Sequence, residues 1–208
     1  MNRLITFACV LALAACSSPA KQPMTLEQMI AADPLPLAKG AKWTYDVTIK
    51  RYDVDSDKES VKTLTWTTEV LDAHESNGVI AYRVKGWLSD LMTGPDAVAP
   101  VATERTLLRS GNHFLFGASP EPTLDGADGW FSWPVIDGEK ICPKTETVYC
   151  WQVAAVDNGY SLSFITGPDE QVYDIEPGTG VSRFHYAHHG PTDEVEAKLA
   201  SYTKGSRQ

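Results

Sequence analysis

Strict alternation of apolar and polar residues is the feature that most restricts the fold of this chain. From Trp43 the sequence reads Trp-Thr-Tyr-Asp-Val-Thr-Ile-Lys, and the same two-residue period returns over 63–70 and 80–85. This period places every second side chain on one face of a β-strand, so each segment predicts a strand with one face in a core and one in water. The acidic turn between the first two runs predicts a hairpin, and three such strands in succession predict an antiparallel meander.

The rest of the chain continues the strand pattern. We expect further strands near 101–109, 113–116, 149–156, 160–165, 172–175 and 181–187, with loops over 89–100 and 117–129. No repeat of fixed period and no linker divides this part of the chain. The predicted fold is therefore mainly β: a single curved antiparallel sheet that forms a barrel or half-barrel.

Two local patterns are less simple. Segment 193–202 alternates as a strand would at Val195 and Leu199, whereas Asp193 with Glu196 could also cap a helix; of the two we favour the strand. The six tryptophans fall mostly within strand patterns and are expected in the core. Trp87 lies on the less apolar face of its predicted strand, and we therefore expect it to be exposed.

The N-terminal segment predicts secretion. Arg3 and the amino terminus form a small positive region, and an apolar run follows over 4–14, interrupted by Thr6. This run is about a dozen residues long, whereas a membrane-spanning helix needs about 20. It therefore predicts a cleaved signal peptide.

Leu13-Ala14-Ala15-Cys16 resembles the lipobox of bacterial lipoproteins. The resemblance implies that the Cys16 thiol is diacylated with fatty acids such as palmitate, that the peptide is cut before Cys16, and that the new amino terminus is acylated. Several acyl chains on one residue give stable membrane anchoring. Ordinary secretion is the alternative, because Ala12-x-Ala14 also suits the cleavage site of a soluble protein.

These features divide the chain into three expected parts. Residues 1–15 form the signal peptide, residues 16–33 carry the lipidated cysteine, a tether and a short helix, and residues 34–208 form one β-rich domain. The helix is expected over 25–32, where Thr25 and Gln28 look like a capping box. Ser17, rather than aspartate, after the cysteine resembles the enterobacterial sorting signal for the outer membrane. We therefore expect a Gram-negative lipoprotein on the outer membrane that faces the periplasm.

The charge argues against a nucleic-acid partner. The formal net charge is −9 at pH 7, and removal of Arg3 with the signal peptide changes it to −10. An acidic chain without a basic stripe repels phosphate backbones. The expected partners are the membrane, through Cys16, and a lipid or an envelope protein.

Two of the four cysteines remain for the folded domain after Cys9 leaves with the signal peptide and Cys16 is lipidated. Cys142 and Cys150 form a pair in a compartment that permits disulfides, and their spacing suits two short arms closed by a turn. Redox catalysis or zinc binding is the alternative, but the pair lacks the C-x-x-C spacing and has no other ligand nearby. We favour a structural disulfide.

The most concentrated group of titratable residues contains His185, His188 and His189. On a strand, His188 and His189 face opposite sides, and His185 and His189 lie about 13 Å apart at ~3.3 Å per residue. Zinc binds imidazole nitrogen at about 2.0–2.1 Å, so a metal site needs a turn of the chain or a further ligand such as His113. We favour histidines that hydrogen-bond to the backbone or to nearby acids; a metal site and the rim of a ligand pocket are the alternatives. No cofactor is expected.

The mature chain resembles β-rich bacterial lipoproteins of uncharacterised function. The similarity rests on Trp43-x-Tyr45 in the first strand, on Tyr149-Cys150-Trp151, and on the late Tyr186-x-His188-His189-Gly190. It implies an envelope lipoprotein and supplies no catalytic residues. The sequence also contains no Gly-x-Ser-x-Gly elbow.

Three functions follow from these observations, and we favour a non-catalytic one. The first is binding of an apolar ligand or lipid on the concave face of the curved sheet, which predicts an enclosed apolar cavity. The second is an envelope scaffold that binds another protein. The third is a metal protein or enzyme centred on the segment from His185 to His189.

Overall fold

The computed structural model describes residues 32–53, 56–92, 99–142, 148–188 and 193–206. The signal peptide, Cys16, the tether and the predicted helix up to residue 31 lie outside the described residues. Within these ranges, no helix has the length and apolar character that crossing a membrane requires.

Twelve strands form one antiparallel sheet in the spatial order β6-β5-β4-β3-β2-β1-β12-β11-β10-β9-β8-β7. Neighbours in the sheet are consecutive in the chain except for β1 and β12. The strands are β1 Lys42–Asp53, β2 Lys58–Ser76, β3 Val79–Lys85, β4 Glu104–Ser110, β5 His113–Gly117, β6 Asp128–Ser132, β7 Lys140–Ile141, β8 Trp151–Val156, β9 Gly159–Ile165, β10 Asp169–Glu176, β11 Gly180–His188 and β12 Asp193–Thr203.

The sheet curves into a nearly closed barrel. Its two outermost strands, β6 and β7, are consecutive in the chain, and Trp130 of β6 contacts Trp151 of β8 with ring centroids 6.3 Å apart. Both the mainly β fold and the strand over 193–202 are therefore confirmed. The two-residue β7 was not predicted, because so short a segment contains no measurable alternation.

The barrel has a lower end and an upper end, and different connections between strands lie at each. The lower end carries the β2–β3, β4–β5, β8–β9 and β10–β11 turns together with residues 32–41. The upper end carries the β1–β2 turn, the β3–β4 connection, the β5–β6 connection and the β7–β8, β9–β10 and β11–β12 connections.

Aromatic side chains fill the interior of the barrel. Because strand residues alternate between faces, most of the buried apolar side chains point inward, and a smaller buried cluster of Val79, Ala81, Leu108 and Ala127 lies apart from this core. Trp130 is at the centre of this core and contacts five other rings, those of Trp87, Phe116, Phe131, Trp151 and Tyr173. Among the described residues the largest fully buried side chains include Trp130, Tyr45, Tyr173, Phe131 and Phe184.

The prediction that Trp87 is exposed is wrong, because its side chain is only 3% exposed. The chain turns at Gly86, whose φ is +70°, and a Cβ there would lie 2.3 Å from the Thr67 carbonyl oxygen. Glycine is therefore required at this turn. The turn ends the strand alternation and directs Trp87 into the core, against Tyr173 and Trp130.

A short 3-10 helix, Leu88–Leu91, follows Trp87 and covers the upper end of the core. Leu88 and Leu91 are fully buried, and the buried Asp90 ties the helix to β4. Its carboxylate accepts hydrogen bonds from the Thr103 amide at 2.8 Å, the Thr103 hydroxyl at 2.8 Å and Arg105 Nη2 at 2.5 Å. These bonds satisfy a carboxylate that would otherwise be costly to bury.

Residues 33–41 cover the lower end. Leu35 and Leu37 pack into the core from this side. The Gly178 amide donates to the Asp33 carbonyl at 2.7 Å, and the Val70 carbonyl accepts from the Gly40 amide at 2.8 Å. This N-terminal segment therefore joins two distant parts of the barrel rim.

Candidate ligand-binding site

The sequence-predicted site residues do not come together in one place. Cys16 and His189 lie outside the described residues. Cys142 and Cys150 form a disulfide with their Cα atoms 4.2 Å apart, which joins the end of β7 to the start of β8. No redox or metal ligand role is needed to account for this pair.

His185 lies on the outer face of β11, within an ion-pair network. Its Nδ1 is 3.2 Å from Glu196 Oε2 on the neighbouring β12. Arg183 donates to both oxygens of the same carboxylate, from Nε at 2.6 Å and from Nη2 at 3.0 Å, and its Nη1 donates to Asp174 at 3.2 Å. His185 therefore supports a sheet-surface network.

His188 lies on the opposite face of β11, at the upper rim of the barrel. Its Nδ1 and the Tyr186 hydroxyl both lie 2.8 Å from Asp169 Oδ1. The hydrogen bond with His188 lowers the pKa of Asp169. Burial and the hydrogen bond to Asp169 raise the pKa of Tyr186 to about 12.

The strand geometry explains why these histidines do not form a metal site. His185 and His188 are three positions apart and so face opposite sides of the sheet. His113, the further ligand considered from sequence, pairs with Ser132 at the lower end, with its Nδ1 2.7 Å from the hydroxyl. In the described part of the chain, no three His, Cys, Asp or Glu side chains are placed to hold a metal ion.

The enclosed apolar cavity that the sequence predicts on the concave face of the sheet is not found around Trp130, because the protein's own aromatic side chains fill the interior there. The rings of Trp87, Trp151 and Tyr173 occupy the space where a ligand would lie. A lipid at this position would have to displace packed aromatic side chains, each of which contributes several kcal/mol to the core. A ligand site must therefore be sought at an end of the barrel.

An open pocket of about 440 Å³ lies at the lower end, and we call it the lower pocket. Its walls are the N-terminal segment and the lower parts of β2, β3 and β4. It is lined by Asp33, Leu37, Ala38, Lys39, Ala73, Glu75, Ile80, Tyr82, Arg109 and Ser206. Its size falls within the ~300–1,000 Å³ that is usual for small-molecule sites.

Arg109 is the best-positioned charge in the lower pocket. Its Nη1 donates to Asp33 Oδ2 at 2.7 Å, and its Nε donates to the Gly111 carbonyl at 3.1 Å. The guanidinium also lies 5.1 Å from the ring centroid of Phe114. Three different contacts therefore fix its orientation, although its side chain is still partly exposed.

Tyr82 provides both apolar surface and a hydroxyl in the lower pocket. Burial raises the pKa of Tyr82; the negative charges of Asp33 and Glu75 act in the same direction, and Arg109 opposes them. All three charged residues line the lower pocket together with Tyr82. Lys39, in contrast, is paired with Asp72 at 3.0 Å.

Sequence reasoning missed the lower pocket. Asp33 and Arg109 are separated by 76 residues, and neither lies in a motif. The only local indication was the placement of Tyr82 on the apolar face of a predicted strand. The pocket depends on how the N-terminal segment crosses the barrel, which no local pattern describes.

Comparison with known proteins gives two distant similarities of fold. No protein-family model matches the chain, and no curated protein matches it. One solved structure, described as an exported protein with a YmcC-like fold from Bacteroides fragilis, has a TM-score of 0.44 and 12% identity and covers 84% of this chain and 100% of its own. Another, described as a lipoprotein from Parabacteroides distasonis, has a TM-score of 0.41 and 9% identity and covers 83% of this chain and 99% of its own. Likeness at this level does not bear on function.

Proposed function

We propose that this protein is a non-catalytic lipoprotein, anchored through Cys16 in the outer membrane of a Gram-negative bacterium and facing the periplasm, that binds a lipid or another apolar ligand. The signal peptide and the lipobox-like Leu13-Ala14-Ala15-Cys16 support the anchor. Ser17 supports sorting to the outer membrane. The disulfide is in keeping with an oxidising compartment.

The lower pocket is the proposed binding site. One observation carries this choice: aromatic side chains fill the barrel interior, whereas the lower pocket is open and has a volume of about 440 Å³. Leu37, Ala73 and Ile80 give it apolar surface. The ligand therefore lies at the lower end of the curved sheet.

The position of the anchor fits this site. The N-terminal segment enters the barrel at the lower end, and Asp33 lies 17 positions after Cys16. An extended chain of this length reaches at most roughly 60 Å. The described chain therefore begins beside the lower pocket, which Asp33 lines.

Native mass spectrometry tests the proposal. The full-length protein is purified from bacterial envelopes in mild detergent, and its native mass is compared with its denatured mass. We expect an added mass of lipid size in the native protein. Ala73→Trp, which fills the lower pocket, should remove this mass.

Ala154→Trp is the matched control, because Ala154 is an exposed residue of β8. This variant should keep the added mass. A native mass that always equals the denatured mass would contradict ligand binding by this protein.

A second candidate function is binding of an envelope protein at the upper end. Val101 is 71% exposed and Val148 is 76% exposed, and both lie in upper connections. Exposed apolar residues at one end of a molecule are typical of interaction sites when they form a patch. Recovery of a cross-linked partner with the wild-type protein, but not with Val101→Lys and Val148→Lys together, would support this function.

A further inference from the structure

We propose that the lower pocket recognises the head group of a zwitterionic amphiphile, in which an ammonium and a phosphate or carboxylate are joined to an apolar body. The inference rests on the proposed function and adds the chemical class of the ligand. Its basis is the presence of opposite charges and apolar surface within one pocket.

Arg109 is the proposed partner of the ligand's anionic group. A guanidinium carries five N–H donors, and Asp33 and Gly111 each accept from only one of its nitrogens. The contacts with Asp33, Gly111 and the Phe114 ring hold the group in place before a ligand arrives. Such preorganisation reduces the entropy that binding costs.

Glu75 is the proposed partner of the ammonium. It lines the pocket on β2, and its charge acts on the Tyr82 hydroxyl, as does that of Arg109. Among the residues that the structure describes, none forms an ion pair with Glu75. Its carboxylate is therefore available to a cationic group, unlike that of Asp33, which already binds Arg109.

The apolar side chains of the pocket account for the third part of the ligand. Leu37 lies on the N-terminal segment, Ala73 on β2 and Ile80 on β3, and all three contribute to the pocket wall. These residues pack on the main core and present their remaining surface to the pocket. Burial of an alkyl chain against them removes apolar surface from water, which favours binding.

Simpler ligand classes fit the lower pocket less well. The carboxylates of Asp33 and Glu75 would repel a purely anionic ligand, and the guanidinium of Arg109 would repel a purely cationic one. A purely apolar ligand would remove water from these charges without replacing the lost hydrogen bonds, which is unfavourable. A phosphoethanolamine group on an acyl body satisfies both charges, and free phosphoethanolamine shares that head-group chemistry.

The test compares two lipids that differ in the head group. The full-length mature protein is released in the mass spectrometer from micelles that contain equal amounts of phosphatidylethanolamine and phosphatidylglycerol with identical acyl chains. We expect the ethanolamine lipid adduct to exceed the glycerol lipid adduct at least fivefold. Glu75→Gln should bring the ratio close to one, and Arg109→Gln should remove both adducts.

Glu59→Gln is the matched control, because it removes the same charge from the same strand at the upper end of the barrel. It should leave the ratio unchanged. Addition of phosphoethanolamine alone identifies the source by mass: a small adduct indicates that the free head group suffices, and its absence indicates that the lipid is needed. If the small adduct forms, its loss in Glu75→Gln supports recognition of a zwitterion. If it does not form, the change of the lipid ratio in Glu75→Gln carries that conclusion.

Different outcomes would contradict the zwitterion proposal and the proposed function. Equal adducts of the two lipids on the wild-type protein, or a ratio that does not respond to Glu75→Gln, would contradict the zwitterion proposal while leaving lipid binding intact. The absence of every lipid adduct would contradict the proposed function itself. Because Glu75 is exposed, its substitution does not endanger the fold.

Discussion

The indole ring of Trp87 contacts that of Trp130 edge to face, with centroids 5.5 Å apart and planes at 88°. Trp87 follows β3, whereas Trp130 lies on β6 at one edge of the sheet. The contact therefore joins the β3–β4 connection to β6, one of the two outermost strands of the sheet. Edge-to-face geometry is favourable for aromatic pairs, and this pair is at the centre of the core.

Trp130→Ala should lower the free energy of unfolding by about 3–5 kcal/mol, the usual loss when a buried tryptophan is truncated. The reason is the loss of contacts with five other rings. Urea unfolding followed by circular dichroism measures the change. Ile136→Ala, at a residue that is 68% exposed, is the control and should have little effect. A small loss for Trp130→Ala would show that the interior is less tightly packed than we describe.

Asp90→Ala should lower the free energy of unfolding by about 1–3 kcal/mol. It removes the acceptor for Thr103 and leaves the partly buried Arg105 without its carboxylate partner. Differential scanning calorimetry should show a lower Tm. Glu104→Gln breaks only the exposed contact with Arg83 and is expected to leave Tm almost unchanged. Equal Tm values for the two variants would argue against Asp90 as the anchor of the 3-10 helix.

Acid should destabilise the outer network of β11 and β12. Burial by itself would raise the pKa of Glu196, but hydrogen bonds and charge from Arg183 outweigh it, so the pKa lies below its usual value. A carboxyl with a lower pKa in the folded state stabilises fully above its unfolded pKa, and the stabilisation is lost as the pH falls through the folded pKa. The free energy of unfolding should therefore begin to fall once the pH drops below the usual glutamate pKa of about 4.3, and should keep falling as the pH passes the lower pKa of folded Glu196.

Glu196→Gln should reduce this pH dependence. Urea unfolding at several pH values measures the slope for the variant and for the wild-type protein. Glu121→Gln changes the same charge on an exposed loop and is the control. A slope for Glu196→Gln as steep as that of the wild-type protein would assign the acid sensitivity to other groups.

Replacement of both Cys142 and Cys150 by serine should lower the free energy of unfolding by about 2.5 kcal/mol, the loop-closure value for so short a loop. The sequence separation is 8. Unfolding of the double variant should match that of the reduced wild-type protein. A much larger loss would mean that the disulfide also supports the β7–β8 contact in the folded state.

Cys16→Ser should release the protein from the membrane. Without a thiol there is no attachment point for acyl chains, and the anchor is lost. Cell fractionation and labelled-palmitate incorporation measure the result: membrane fraction and label for the wild-type protein, neither for Cys16→Ser. Cys9→Ser is the control and should behave as the wild-type protein does. Retention of Cys16→Ser in the membrane would require another anchor.

Local pattern was sufficient for most strands and insufficient at Trp87. Alternation over 43–50 and 63–70 predicts β1 and β2 because the two-residue period is a property of the strand itself. Trp87 appeared to continue the alternation of β3, but Gly86 adopts a positive φ and ends it. Whether a side chain is buried after such a turn depends on its tertiary contacts, which for Trp87 are with Tyr173 and Trp130.

The sequence by itself determined the strand-rich class of this protein, the expectation of a lipid anchor at Cys16 and the expectation that Cys142 pairs with Cys150, because each depends on a few neighbouring residues. The tertiary structure decided the closure of the sheet, the placement of His113 and His188 at opposite ends of the barrel and the meeting of Asp33 with Arg109. These depend on strand register and on where the N-terminal segment crosses the barrel. Both result from packing between residues far apart in the chain, which the local period of a strand does not encode.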